Sequence, residues 1–172
     1  TLKALMEGAG ADFDKLEMVN TGFGDSLALL AQKQVDLVWI YCGWQGIQAE
    51  QQGIDLDTVM MQDYLDSIPD FYTPVVIASE ATVTDRPDTV KKLVAALSRG
   101  YTFAAENPDE AADILLAAVP ELDEELVRAS QKWISPYYIA EAPRWGEQKE
   151  SVWQAYSEWL ATNGVVADPG DV

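Results

Sequence analysis

Val35-Asp36-Leu37-Val38-Trp39-Ile40-Tyr41-Cys42-Gly43-Trp44-Gln45 opens with an apolar run broken only by Asp36 and then turns at a glycine set between Tyr41 and Trp44. An apolar run this dense, rich in β-branched and aromatic residues, fits a strand covered on both faces, as in a parallel sheet. Trp44 to Gln52 then has the length and composition of a short helix, which Gly53 closes. A buried strand feeding a helix is the repeating element of an α/β fold.

The pattern extends in both directions. Leu2 to Glu7 predicts a short helix ended by Gly8 or Gly10, and Leu16 to Asn20 alternates as a strand. Thr21-Gly22-Phe23-Gly24 is a turn, after which Asp25 or Ser26 caps a helix with Leu27, Leu30 and Ala31 on its apolar side. Thr58 to Gln62 is a further strand. The order helix, strand, helix, strand, helix, strand predicts a parallel sheet with short connections. Asp63 to Pro74 breaks this rhythm with two prolines, several acids and Tyr64, Phe71 and Tyr72, and Thr73 to Ser79 returns as a strand.

Beyond Pro87 the chain is almost all helix. One helix starts at Pro87 with a stripe of Val90, Leu93, Val94, Leu97 and Tyr101. A second starts at Asn107-Pro108-Asp109-Glu110, a cap and N1 proline followed by acids against the positive helix end. A third spans Leu122 to Trp133, and a fourth Trp145 to Thr162, ended by Asn163-Gly164. A run of helices needs a layer to cover, and only the strand Thr73 to Ser79 travels with them. The rest of their sheet is therefore expected upstream, with the chain a fragment.

The chain has 172 residues, 48% of them hydrophobic, enough to bury about 70% of its unfolded surface. Its net charge is −18. Residues 1–79 carry 12 acidic and 3 basic side chains and residues 80–172 carry 17 and 8, so the charge is even, at −9 in each part. Such a field repels phosphate backbones and argues against nucleic acid as a partner. Cys42 is the only cysteine, which excludes an internal disulfide, and histidine is absent. No apolar run reaches the roughly 18 residues of a membrane span, and no signal peptide is visible.

Catalytic signatures are weak. Without histidine there is no Ser-His-Asp or Cys-His arrangement, and Gly22-Phe23-Gly24 is too short for a dinucleotide fingerprint. No catalytic residue, metal ligand or cofactor is expected. Asp63, Asp66 and Asp70 could gather around a divalent ion, but turn-rich segments hold Asp for backbone reasons. The aromatics say more. Tyr41 and Trp44 stand at the carboxyl end of a strand, where open α/β sheets bind ligands. They can sandwich a flat ring, and Gln45 offers a donor and an acceptor; the alternative is that both rings pack between helix and sheet. Gly22 and Phe23 lie where helix N-terminal amides could meet a polar group, or they form a plain turn. Tyr64 and Tyr72 either line a cleft or pack. Trp133, Trp145, Trp153 and Trp159 sit at helical spacings that favour packing.

Val35-Asp36-Leu37 after a short helix, Tyr41 to Ile47, Gly53-Ile54, Ile68-Pro69-Asp70-Phe71-Tyr72 leading into Val75-Val76-Ile77, Ala96 to Tyr101, and Asn107-Pro108-Asp109-Glu110-Ala111 follow one another in a set order. That series resembles the type II periplasmic solute-binding proteins of the thiamine-pyrimidine-precursor group, close to the nitrate, sulfonate and taurine binding proteins. The resemblance implies two three-layer α/β lobes with parallel-rich sheets around an interlobe cleft. Residues 1–72 would form a second-lobe segment and residues 73–172 the crossover strand and C-terminal helices of an incomplete first lobe. It also implies the substrate-binding component of an ABC-type importer, not an enzyme, with a small molecule and a permease as partners. Its place would be periplasmic or extracellular, touching the membrane only through the transporter or an upstream lipid anchor. The ligand contacts would be Tyr41, Trp44, Gln45, Gly22, Phe23, Tyr64 and Tyr72. In the pyrimidine-binding members an acid hydrogen-bonds the ring, and Gln45 stands in its place here. Two alternatives are a pyrimidine-synthase-like enzyme of the same fold, against which the absent histidine speaks, and a ligand-sensing regulatory domain.

Overall fold

The structure is a computed structural model that describes residues 1–22 and 24–168. Among these residues are eight α-helices: α1 (Leu2–Gly8), α2 (Ser26–Ala31), α3 (Ile47–Gln51), α4 (Glu80–Asp85), α5 (Pro87–Glu106), α6 (Pro108–Ala118), α7 (Glu124–Ile134) and α8 (Glu150–Thr162). A π-helical turn, Cys42–Gly46, leads into α3, and a 3-10 turn, Ser135–Tyr137, follows α7. The chain divides into two compact units that interleave along the sequence. Among the described residues the first joins Thr1–Asn20, Asp57–Ile77 and 148–168; the second joins Thr21–Leu56 and Ala78–Glu147.

Local chemistry sets most helix ends. Asp25 Oδ1 accepts from the amides of Leu27 and Ala28 at 3.0 and 3.2 Å, and Asp123 Oδ1 accepts from Leu126 at 2.8 Å, each satisfying donors that a helix start leaves open. Pro87 and Pro108 occupy first-turn positions. At the other end, Gly53 and Gly164 take left-handed conformations, with φ of 67° and 68°. The next amide in each case returns to the last turn, Ile54 to Ala49 and Val165 to Leu160, both at 2.9 Å. The same closure ends α2, but there the left-handed residue is Lys33, with φ of 55°.

Three helices depart from expectation. α4 is additional: Ser79 Oγ accepts from the Thr82 amide at 3.2 Å and starts a helix directly after the predicted strand. α7 starts two residues later than expected, after its Asp123 cap, and α8 starts at Glu150 because residues 138–146 are taken up by turns and bends. Asn107, expected to cap α6, instead donates its Nδ2 hydrogen back to the Phe103 carbonyl at 3.1 Å and closes α5.

The larger departure concerns the sheet. Leu16–Asn20, Val35–Tyr41, Thr58–Gln62 and Thr73–Ser79 were expected as strands, yet among the described residues no β-ladder is present. A strand has no internal hydrogen bonds; it exists only against a partner edge. These segments keep the apolar composition that prompted the expectation, but their side chains face solvent: Trp39 is 56% exposed, Val76 63% and Ile77 86%.

In the first unit, Ile68 is the buried centre. α8 lays a row of rings over residues 67–72. Phe71 stacks on Tyr156 with centroids 4.6 Å apart, Tyr156 on Trp159 at 5.6 Å, and Tyr72 tilts against Trp153 at 5.8 Å. Trp159 Nε1 donates to the Ser67 carbonyl at 3.1 Å, and the Lys149 amide donates to the Tyr72 hydroxyl at 2.9 Å.

In the second unit, α6 and α7 pack together over Ala112, Leu126 and Val127, all buried. On their outer side Arg128 pairs with Asp113 at 2.6 Å and Glu124 at 2.9 Å. The hydrogen bond that Arg128 donates to Asp113, then that to Glu124, raises the guanidinium pKa further. Tyr101 of α5 stacks on Trp145 at 4.7 Å and meets the edge of Tyr138 at 5.0 Å. Burial raises the Tyr138 pKa, against a hydrogen bond with Gln131 that lowers it. The apolar stripe of α5 is covered at Tyr101 by the Trp145 and Tyr138 rings but not along its middle, where Leu93 and Val94 lie about half exposed; no residue of the helix is buried.

Candidate functional site

The 41–46 turn gathers the three central candidates. Tyr41 is in extended conformation, and its carbonyl accepts from the amides of Trp44 at 2.9 Å and Gly46 at 3.4 Å. The second bond spans five residues and makes the turn π-helical, a wide form that recurs at functional sites. Gln45 Oε1 reaches back to accept from the Tyr41 amide at 2.9 Å. Tyr41, Trp44 and Gln45 are thus held by one hydrogen-bonded loop, with Gln45 acting as a brace. Its acceptor is committed to the backbone, so what Gln45 can offer a ligand is its N–H donors. The Tyr41 ring is 70% exposed, while Trp44 and Gln45 are half-buried. An exposed tyrosine and a half-buried tryptophan on one turn are the residue types that contact flat rings.

The loop is anchored from below. Ile47 and Ala49 of α3 are buried, and α7 packs against both α3 and the turn. Trp133, near the end of α7, lies directly on Gly43: a Cβ there would fall 2.6 Å from Trp133 Cε3. Trp133 is in turn stacked on Tyr137, with centroids 4.9 Å apart. Sequence reasoning gave Trp133 a packing role without naming its partner. The glycine was the available signal, since a residue lacking a side chain between two aromatics marks a close approach.

The other candidates fall elsewhere. Gly22 is exposed, with φ of 62°, in the turn before α2; Phe23 lies outside the described residues. The α2 amides that were expected to meet a ligand are taken by Asp25, whose carboxylate also places negative charge there. Tyr64 and Tyr72 belong to the first unit. Tyr64 is exposed and its carbonyl accepts from Ser67 and Ile68 at 3.0 Å, whereas Tyr72 is engaged at both ring and hydroxyl by α8. Asp70 accepts from the Phe71 amide at 2.9 Å. Among the described residues no three Cys, Asp or Glu side chains gather as a metal site, and no helix is long and apolar enough to cross a membrane.

A family model described as "NMT1/THI5 like" matches residues 1–111. The formylaminopyrimidine-binding protein of Halalkalibacterium halodurans is 24% identical over 173 residues, covering 98% of this chain and 52% of that protein. The riboflavin-binding protein RibY of Chloroflexus aurantiacus is 26% identical over 177 residues, covering 99% and 49%. The chain spans about half the length of the curated relatives it matches.

Proposed function

The chain belongs to the NMT1/THI5-like family, and on that footing we propose that it is part of an extracytoplasmic substrate-binding protein serving an ABC-type importer. Its ligand is a small flat heterocycle, bound and released without chemical change, and its membrane partner is the importer's permease. The observation that supports this reading is the 41–46 turn, in which one set of hydrogen bonds ties the backbone at Tyr41, Trp44 and Gln45 into a single loop. The names of the two relatives support it, since a formylaminopyrimidine and riboflavin are both planar nitrogen heterocycles.

Charge favours a neutral ligand. Residues 21–56 hold Lys33 as their only basic side chain, against Asp25, Asp36, Glu50 and Asp55; an anion would enter a repulsive field with one weak counterweight. The lobe assignment, 1–72 and 73–172, belongs to the same proposal. The exposed apolar segments around Trp39 and Val76 and the half-exposed Leu93 and Val94 of α5 support completion of the sheets by further chain of the kind the relatives carry. Closure of the finished lobes over the ligand would then give the permease a shape to recognise.

Thermal-shift screening of the full-length protein against pyrimidines, flavins, sulfonates and polyamines tests this. The expected result is stabilisation by a pyrimidine or a flavin and none by sulfonates. Turnover of a compound with no stabilisation by any would replace the transport reading with an enzymatic one. Trp44→Ala should abolish the shift while leaving the unliganded melting temperature within a few degrees; an undiminished shift would return Trp44 to a packing role.

A further inference from the structure

Trp133 lies about ninety residues downstream of the turn it touches, and its surroundings leave it little freedom. A Cβ on Gly43 would stand 2.6 Å from Trp133 Cε3 and 2.8 Å from Cζ3, distances that no side-chain carbon adopts, so indole and backbone are in full contact there. The far side of the arrangement is equally fixed. The indole stacks on Tyr137, 4.9 Å between centroids and 27° between planes. Between those two residues, Ser135 is 3% exposed, and its hydroxyl hydrogen is shared by the carbonyls of Ala104 at 2.9 Å and Gln131 at 2.7 Å. Gln131 Nε2 donates to the Ser135 hydroxyl oxygen at 2.9 Å. The end of α7 is thereby tied to α5, and among the described residues no buried side-chain polar atom of this support lacks a hydrogen-bond partner.

The turn is closed by bonds to the Tyr41 carbonyl and by the Gln45 brace, and what it rests against at Gly43 is the Trp133 indole. We propose that Trp133 is a positioning residue for ligand binding: its indole sets the π-helical turn at Gly43, and through it the placement of Tyr41, Trp44 and Gln45. This rests on the reading that those three side chains contact the ligand. A smaller side chain at 133 would let the turn relax toward the space vacated, and a larger one at 43 would push the turn outward. Either change displaces the ring contacts without touching them.

The two positions should therefore be coupled in a particular way. In the full-length protein, titrated with riboflavin and with formylaminopyrimidine, Trp133→Leu is expected to weaken binding at least tenfold, and Trp133→Phe, which keeps a flat ring on Gly43, to recover most of it. Gly43→Ala alone is expected to weaken binding tenfold or more and to lower the melting temperature. Combined with Trp133→Leu it should cost little beyond Trp133→Leu, because the clash has been removed. Strict additivity of the two substitutions in both affinity and melting temperature would overturn the coupling. Wild-type affinity in folded Trp133→Leu, while Trp44→Ala loses binding, would overturn the positioning role and leave the ligand site standing. Unchanged binding in both Tyr41→Ala and Trp44→Ala would instead overturn the ligand site. If Trp133→Leu does not fold, Trp133→Phe and Gly43→Ala decide: equal and undiminished affinities in both refute the proposal.

Discussion

Trp159 separates packing from ligand contact in the first unit. Its ring stacks on Tyr156 and its Nε1 donates to the Ser67 carbonyl at 3.1 Å. Trp159→Phe keeps most of the ring and removes the donor, leaving a partly buried carbonyl without its partner, at a cost of about 1 kcal/mol. Trp159→Ala removes the ring as well. A fully buried tryptophan would cost about 3–5 kcal/mol, and Trp159 is only half-buried, so about 3 kcal/mol in all is expected. The stacked pair should add about 0.5–1.5 kcal/mol of coupling between Trp159→Ala and Tyr156→Ala. Urea unfolding of the full-length protein measures all three quantities. Ligand affinity, measured in parallel, should be unchanged by Trp159→Phe. Loss of affinity at undiminished stability would refute the assignment of the α8 rings to packing and move Trp159 into the binding site.

Two further predictions concern stability. Lys33 holds a left-handed conformation that costs a non-glycine residue about 1 kcal/mol, so Lys33→Gly should stabilise the protein by up to that amount; a loss of stability would show that the Lys33 side chain makes a compensating contact. Tyr138 has a pKa raised chiefly by burial. Its folded state therefore holds the phenolic proton after the unfolded state has lost it. The resulting stability is fully present below about pH 10, the ordinary tyrosine value, and falls as pH rises through the folded pKa. Tyr138→Phe should flatten that alkaline limb in pH-dependent unfolding, and an unaltered limb would point to another group.

Helix ends were legible because they are written in adjacent residues. Asp25, Pro87 and Pro108 mark starts, and Gly53 and Gly164 mark stops, each acting within one turn of the helix it bounds. Lys33 shows the limit, since it fills a glycine position and gives no signal. The start of α4 was legible in principle from Ser79 but was masked by the apolar run before it. Strands were legible as composition and not as pairing: whether Val75-Val76-Ile77 enters a ladder depends on an edge that local sequence does not describe. In the candidate site, Tyr41, Trp44 and Gln45 stood out because they crowd a single turn. The brace from Gln45 to the Tyr41 amide and the seat of Trp133 on Gly43 are three-dimensional, and the second joins residues too far apart for periodicity to connect.

The central claim concerns a ring-binding site on the 41–46 turn that holds its ligand unchanged. Fluorescence titration of riboflavin, with formylaminopyrimidine as competitor, into the full-length protein and its Tyr41→Ala variant addresses it directly. The prediction is saturable binding of one of the two compounds by the wild-type protein, at least tenfold weaker binding by Tyr41→Ala, and recovery of the ligand intact. Equal binding by both proteins, binding of neither compound, or recovery of an altered compound would contradict it.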